Sequence, residues 1–138
     1  EGDGGNSKVQ DLKRRCELVR ELQPDCVLSI HQNSYPEEAI HGAQVFYYED
    51  SSEGKKLAEI LQKHLVEVLD KENHRQAKGN RTYYMLKKTE ATLVIVECGF
   101  LSNNQEALLL TDEKYQNKVA KAICSGTLEY LSSLAEKK

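Results

Sequence analysis

Apolar positions change period several times along the chain, and each change marks a new element. Val9, Leu12, Cys16, Val19 and Leu22 fall three or four residues apart, which predicts an amphipathic helix starting at Ser7 as its cap. Pro24 and Asp25 close it. Residues 26–30 (CVLSI) form a short, mostly apolar run of strand length that ends at His31. Residues 32–42 contain Asn33, Pro36 and Gly42 and read as a loop, and the β-forming run 43–48 (AQVFYY) reads as a second strand. Leu57, Ile60, Leu61, Leu65, Val68 and Leu69 make the stripe of a long helix capped by Ser51 or Ser52. A polar loop then spans 71–81, and residues 82–86 (TYYML) have the composition of a short edge strand. Residues 92–97 (TLVIVE) give the clearest strand, with Glu97 at its end. A short helix over "NNQEALLL" follows. Asp112 then opens a last helix, with Tyr115, Val119, Ala122, Ile123, Tyr130, Leu131 and Leu134 on its inner face.

Strands alternating with helices predict an α/β fold: a three-layer sandwich whose mostly parallel sheet is flanked by helices. No repeat or low-complexity segment divides the chain, so residues 1–138 are expected to be one domain, with the glycine-rich residues 1–6 flexible. A net charge of −3 and isolated lysine pairs (Lys55-Lys56, Lys87-Lys88, Lys137-Lys138) argue against nucleic acid as a partner, which needs a basic face. No apolar run approaches the ~20 residues of a membrane span. Cys16, Cys26, Cys98 and Cys124 are widely spaced with no C-x-x-C pair, and each lies in or beside an apolar pattern. This predicts four buried free thiols.

Chemistry is expected at the carboxyl ends of the strands, where open α/β sheets bind ligands. Two strands end in a reactive side chain, His31 and Glu97; if they run parallel, both reach one rim. Histidine is the commonest side-chain metal ligand, and a carboxylate beside a metal is a ligand or a general base. Each residue alone also has an ordinary reading, as a hydrogen-bonded strand-end histidine or a glutamate capping the next turn. Cys98 acting as a nucleophile with His31 as its base is a further option, set against a small buried thiol. His41 reads as a surface loop residue and His64 as marginal to the long helix. His74 lies in a polar loop from which it could touch a substrate. No G-x-S-x-G elbow, P-loop or G-x-G-x-x-G is present.

The motifs SIHQNS and HGAQVFYY, then VECGFLSNNQEALLL and KYQNKVAKAICSGTLEYL, resemble the zinc-dependent N-acetylmuramoyl-L-alanine amidases of the type-3 family, most of all its germination-specific, spore-cortex variant. SKVQDLKRRCELVRELQPD is similar to the helix before that family's histidine strand, and the resemblance covers residues 7–131. It implies that His31 is a zinc ligand and Glu97 the catalytic glutamate. The reaction implied is hydrolysis of the amide between N-acetylmuramic acid and L-alanine in peptidoglycan. Zn2+ would polarise the carbonyl and its bound water, and Glu97 would move the water's proton to the leaving amine. Peptidoglycan is then the partner, and the location is extracellular, at the cell envelope or spore cortex. Asn33 and the turn at 100–103 are expected to shape the rim. Ala91-Thr92 stands where the family commonly has a proline.

The family's H-G-G-type histidine and its following glutamate have no counterpart in this chain. Catalytic zinc sites use three protein ligands plus water, and only His31 is present of that set. The resemblance therefore implies the C-terminal two-thirds of a catalytic domain, with the family's N-terminal strands absent. The chain as given is expected to be inactive, without catalytic zinc, and able to self-associate through uncovered sheet edges. The alternative readings are a non-catalytic peptidoglycan-binding or regulatory module, or an unrelated metallohydrolase sharing only the rim His and Glu.

Overall fold

The computed structural model describes residues 4–34 and 37–136. Helix α1 (Gly4–Leu22) precedes strand β1 (Val27–Asn33), and strand β2 (Gln44–Tyr48) precedes helix α2 (Ser52–Leu69). Then come β3 (Lys78–Asn80), α3 (Tyr84–Lys88), β4 (Leu93–Phe100), α4 (Asn104–Leu110) and α5 (Glu113–Glu136). The four strands form one sheet in the order β1-β4-β2-β3. β1 is parallel to β4 and β2 is parallel to β3, while β2 meets β4 antiparallel. The α/β sandwich is as expected, with one antiparallel step in its sheet.

β4 is buried at all eight positions because helices cover both faces. Val94, Val96 and Cys98 join Leu57, Leu61 and Leu65 of α2 and Val119, Ala122 and Tyr130 of α5 in the larger core. Leu93 and Ile95 face the other way, with Cys16 of α1 and Met85 and Leu86 of α3. Helices α2 and α5 approach closely at Gly126, where a Cβ would stand 2.8 Å from Leu61 Cδ2. Buried Gln62 completes the polar bookkeeping beside β2: its Oε1 accepts from Val45 N at 2.8 Å and its amide donates to Ala43 O at 3.0 Å. Ser51 is the α2 cap, accepting from Gly54 N at 2.9 Å, and Asp112 accepts from Tyr115 N at the start of α5.

Several expectations are corrected. α1 begins at Gly4, so Ser7 lies inside the helix and residues 4–6 are helical. Adding a residue to an existing helix gains a hydrogen bond without a new nucleus, which offsets the glycine penalty. The remainder of the segment expected to be flexible, residues 1–3, lies outside the described residues, as does Pro36. Val9, Leu22 and Val68 sit at the margins of their stripes and are exposed. Residues 84–88 form a helix where an edge strand was expected. Asn80 explains the reversal: its Oδ1 accepts from the N–H groups of both Thr82 and Tyr83 at 2.8 Å, turning the chain before the strand-forming tyrosines can extend. The preceding "loop" contains β3, whose three residues pair with β2. All four cysteines are free. Cys16 and Cys98 are buried and Cys26 is half-buried, but Cys124 lies on the outer side of α5 and is exposed.

Candidate active site

His31 and Glu97 are not strand ends. β1 continues to Asn33 and β4 to Phe100, because the parallel ladder holds through the pair His31↔Glu97 and resumes, after a bulge, at Asn33↔Phe100. On the other side of β4, Glu97 pairs with Gln44. Laterally paired residues share a face of a sheet, so β1, β4 and β2 carry one row: His31, Glu97, Gln44. The row lies on the α1/α3 side. His31 and Glu97 line one hollow of about 280 Å³ there, with Ser29, Ile95, Lys8 and Arg15 among its walls and Tyr83 and Tyr84 over it.

Glu97 is only 2% exposed. Its Oε1 accepts no hydrogen bond from the described residues, and Glu97 is held through other interactions. His31 remains solvent-accessible, with Nε2 2.8 Å from Ser29 Oγ. Burial, then the cations Arg15 and Lys8, hold its imidazole below the usual histidine range. The neutral ring is the form that ligates a metal or accepts a proton.

Cys98 belongs to the opposite face. Burial, and then the charge of Glu97, push its thiol up to about 11, and it packs in the larger core. A thiol this hard to ionise and on the wrong side of the sheet is no nucleophile for His31. His41 is exposed, as expected. His64 lies against α5, its Nε2 2.8 Å from Glu129 Oε1. His74 lines a separate hollow with Glu59 and Lys63.

Two residues outside the sequence-based set organise the rim. Glu106 is one: its Oε1 accepts from Phe100 N at 2.8 Å and its Oε2 from Gly42 N at 2.7 Å. It thereby ties the end of β4 to the turn that delivers Gln44. Asn103-x-x-Glu106 has the spacing of a capping box, which was a readable signal. Asn103 caps the helix by accepting from Glu106 N at 3.0 Å, but the glutamate reaches across the site. Arg75 is the other, with Nε donating to His41 O at 2.7 Å and Nη1 to Gln44 Oε1 at 3.2 Å. Nothing in the local sequence around Arg75 marks it.

Among the described residues no three of His, Cys, Asp or Glu gather as a metal group. His31 supplies one suitable neutral nitrogen. The described donor set does not fit a catalytic zinc by itself.

A family model described as N-acetylmuramoyl-L-alanine amidase matches residues 3–129. The chain belongs to this amidase family. The germination-specific N-acetylmuramoyl-L-alanine amidase of Bacillus subtilis is 37% identical over 134 residues, covering 96% of this chain and 56% of that protein. The amidase LytC of the same organism is 30% identical over 130 residues, covering 91% of this chain and 25% of its own length. Among solved structures, the CwlD amidase of Clostridioides difficile, in complex with the GerS lipoprotein, superposes with a TM-score of 0.90 at 39% identity. That match covers 94% of this chain and 66% of CwlD. An N-acetylmuramoyl-L-alanine amidase of Clostridium difficile 630 gives 0.82 at 29% identity, covering 88% of this chain and 66% of that one. The chain thus spans about half the length of the germination-specific amidase and about two thirds of these solved ones.

Proposed function

We propose that this chain carries part of a peptidoglycan amidase site, acting at the cell envelope or spore cortex on the amide between N-acetylmuramic acid and L-alanine. The observation that carries the reading is the lateral pairing of His31 with Glu97 over a shared hollow, in a chain of the amidase family. In hydrolysis a water oxygen bonds to the lactyl carbonyl carbon, the C–N bond breaks, and the amine of L-alanine leaves. Glu97 takes the proton from the water and returns it to that nitrogen. Its burial keeps competing water away from the carboxylate. His31, held neutral beside it, is the zinc ligand this chain contributes.

The zinc ligand set is incomplete on the described residues. We therefore read the chain as inactive by itself and zinc-dependent only within a longer domain that supplies the other ligands. Elemental analysis of this chain is expected to find no tightly held zinc; one zinc per chain together with cleavage of the muramoyl amide would refute that part. Within a complete domain, Glu97→Gln is expected to lower release of L-alanine amino termini from peptidoglycan by about 100-fold or more, with zinc content unchanged. Undiminished release removes Glu97 from the role. The same incomplete ligand set also favours a second reading, a peptidoglycan-binding module without catalysis. Peptidoglycan binding with no hydrolysis by the complete natural protein would establish it.

A further inference from the structure

Beside the Glu97 hollow, across Tyr83, lies a second one of about 210 Å³. Its walls include Gln44, Phe100, Arg75 and Lys78, with no carboxylate among the described residues that line it. The arginine is braced rather than loose. Asn73 Oδ1 accepts from Arg75 N at 3.0 Å, His41 O and Gln44 Oε1 take one N–H each, and the guanidinium carbon stands 5.4 Å over the Phe100 ring. A guanidinium has five N–H donors, so three remain after these two bonds among the described residues. Neither Arg75 nor Lys78 makes an ion pair among the described residues. Here is a half-buried cation of fixed orientation with unspent donors, next to a second cation. Its anchor Gln44 is also the lateral neighbour of Glu97.

We propose that Arg75 and Lys78 form a carboxylate subsite for the peptide side of the substrate, a reading that rests on the amidase function above. The planar guanidinium suits two-point recognition of a carboxylate. Lateral neighbours in a sheet are about 5 Å apart, and a peptide advances about 3.5 Å per residue. An amide placed at Glu97 therefore brings the carboxylate of the next residue but one in reach of Arg75. Glu97 repels that carboxylate and Arg75 attracts it, so the pair also sets the direction in which the peptide lies. The ligand class is a short peptide with a free α-carboxylate one residue beyond the alanine.

The test uses this chain and two probes titrated by NMR at neutral pH. One is N-acetyl-L-alanyl-D-glutamate with its γ-carboxyl capped as the methylamide and its α-carboxylate free. The other is the same peptide with an α-carboxamide. The acidic probe is expected to bind about tenfold more tightly, the equivalent of one charge-assisted hydrogen bond, with shifts at Gln44, Arg75 and Phe100. Arg75→Gln is expected to abolish the difference. Lys78→Gln, at an exposed position that leaves the fold intact, is expected to reduce it several-fold. Equal affinity for the two probes, or an undiminished preference in the Lys78→Gln and Arg75→Gln chains, overturns the subsite. These binding results do not depend on hydrolysis. A complete domain that cleaves acidic and amidated muropeptides equally well would overturn the subsite and leave the amidase reading standing. Failure to cleave either, with the binding preference intact, would remove the amidase reading and leave the carboxylate site.

Discussion

On one face of β4, Val94, Val96 and Cys98 disappear under α2 and α5 into a continuous apolar layer. On the other, Leu93 and Ile95 pack against α1 and α3, but the next residue in the same alternation is Glu97, and the layer opens into a hollow. One strand therefore serves two purposes by residue parity. The first face holds the fold together; the second uses less apolar packing and places a buried carboxylate among cations. A register slip of one residue would exchange them.

Truncations on the two faces of β4 are expected to have unequal costs. Leu61→Ala, at a fully buried position, is expected to cost about 3 kcal/mol, whereas half-buried Leu12→Ala on the other face is expected to cost about 1 kcal/mol. Urea unfolding measures both, and equal losses would mean that the faces do not divide the labour. Glu106→Ala comes next, at about 2 kcal/mol, because the Gly42 and Phe100 N–H groups lose their acceptor together. Amide exchange should accelerate at both positions at once; acceleration at only one would contradict the clamp. Gly42→Ala is expected to cost about 1–2 kcal/mol. Gly42 has φ +101°, and a Cβ there would meet Asn73 Oδ1 at 3.0 Å. Its damage should be centred on the rim, leaving the α2–α5 core signals unmoved.

Raising the pH from 8 to 10 is the mildest probe, and it acts on the larger core. Burial pushes Tyr115 and Tyr130 up from 10.0 to about 12 and Cys98 up from 9.0 to about 11. Tyr130 also donates its O–H to Glu53 at 2.8 Å. In each case the folded state favours the protonated group. The stability these groups contribute is whole below about pH 9 and drains away as pH rises through 9–12. Thermal melts should show a shallow decline that steepens above pH 10, with tyrosinate absorbance rising only as the protein unfolds. A flat profile to pH 11 would deny these tyrosines their buried role.

What could be read from sequence followed periodicity. The stripes of α2 and α5 and the apolar run of β4 are long enough for packing to follow the pattern, and every residue expected on the inner face of α5 touches the larger core. The segment at 82–86 was misread because its composition favours a strand while a side chain upstream, Asn80, decides the turn. β3 has no apolar pattern and exists only through pairing with β2. That His31 and Glu97 would come together on one rim was legible because each follows an apolar strand run. Gln44 and Arg75 were not, since their place on the rim follows from the antiparallel register and from contacts some thirty residues apart in sequence.

That antiparallel step has a further consequence, for how such a site diversifies. Were β2 parallel to β4, its beginning would lie at the far end of the sheet from Glu97. Running the other way, it brings the turn around Gly42 to the rim reached by β1 and β4, and the segment bearing Arg75 is bonded to that turn. The rim is thus edited from separate stretches of chain: those after His31, after Phe100, before Gln44 and around Arg75. They meet the α2–α5 core only through small or terminal contacts, at Ala43, Ala77 and Leu110. Substitutions in one stretch can reshape the rim while the scaffold and the Glu97 row stay as they are, which leaves the rim free to vary faster than the fold.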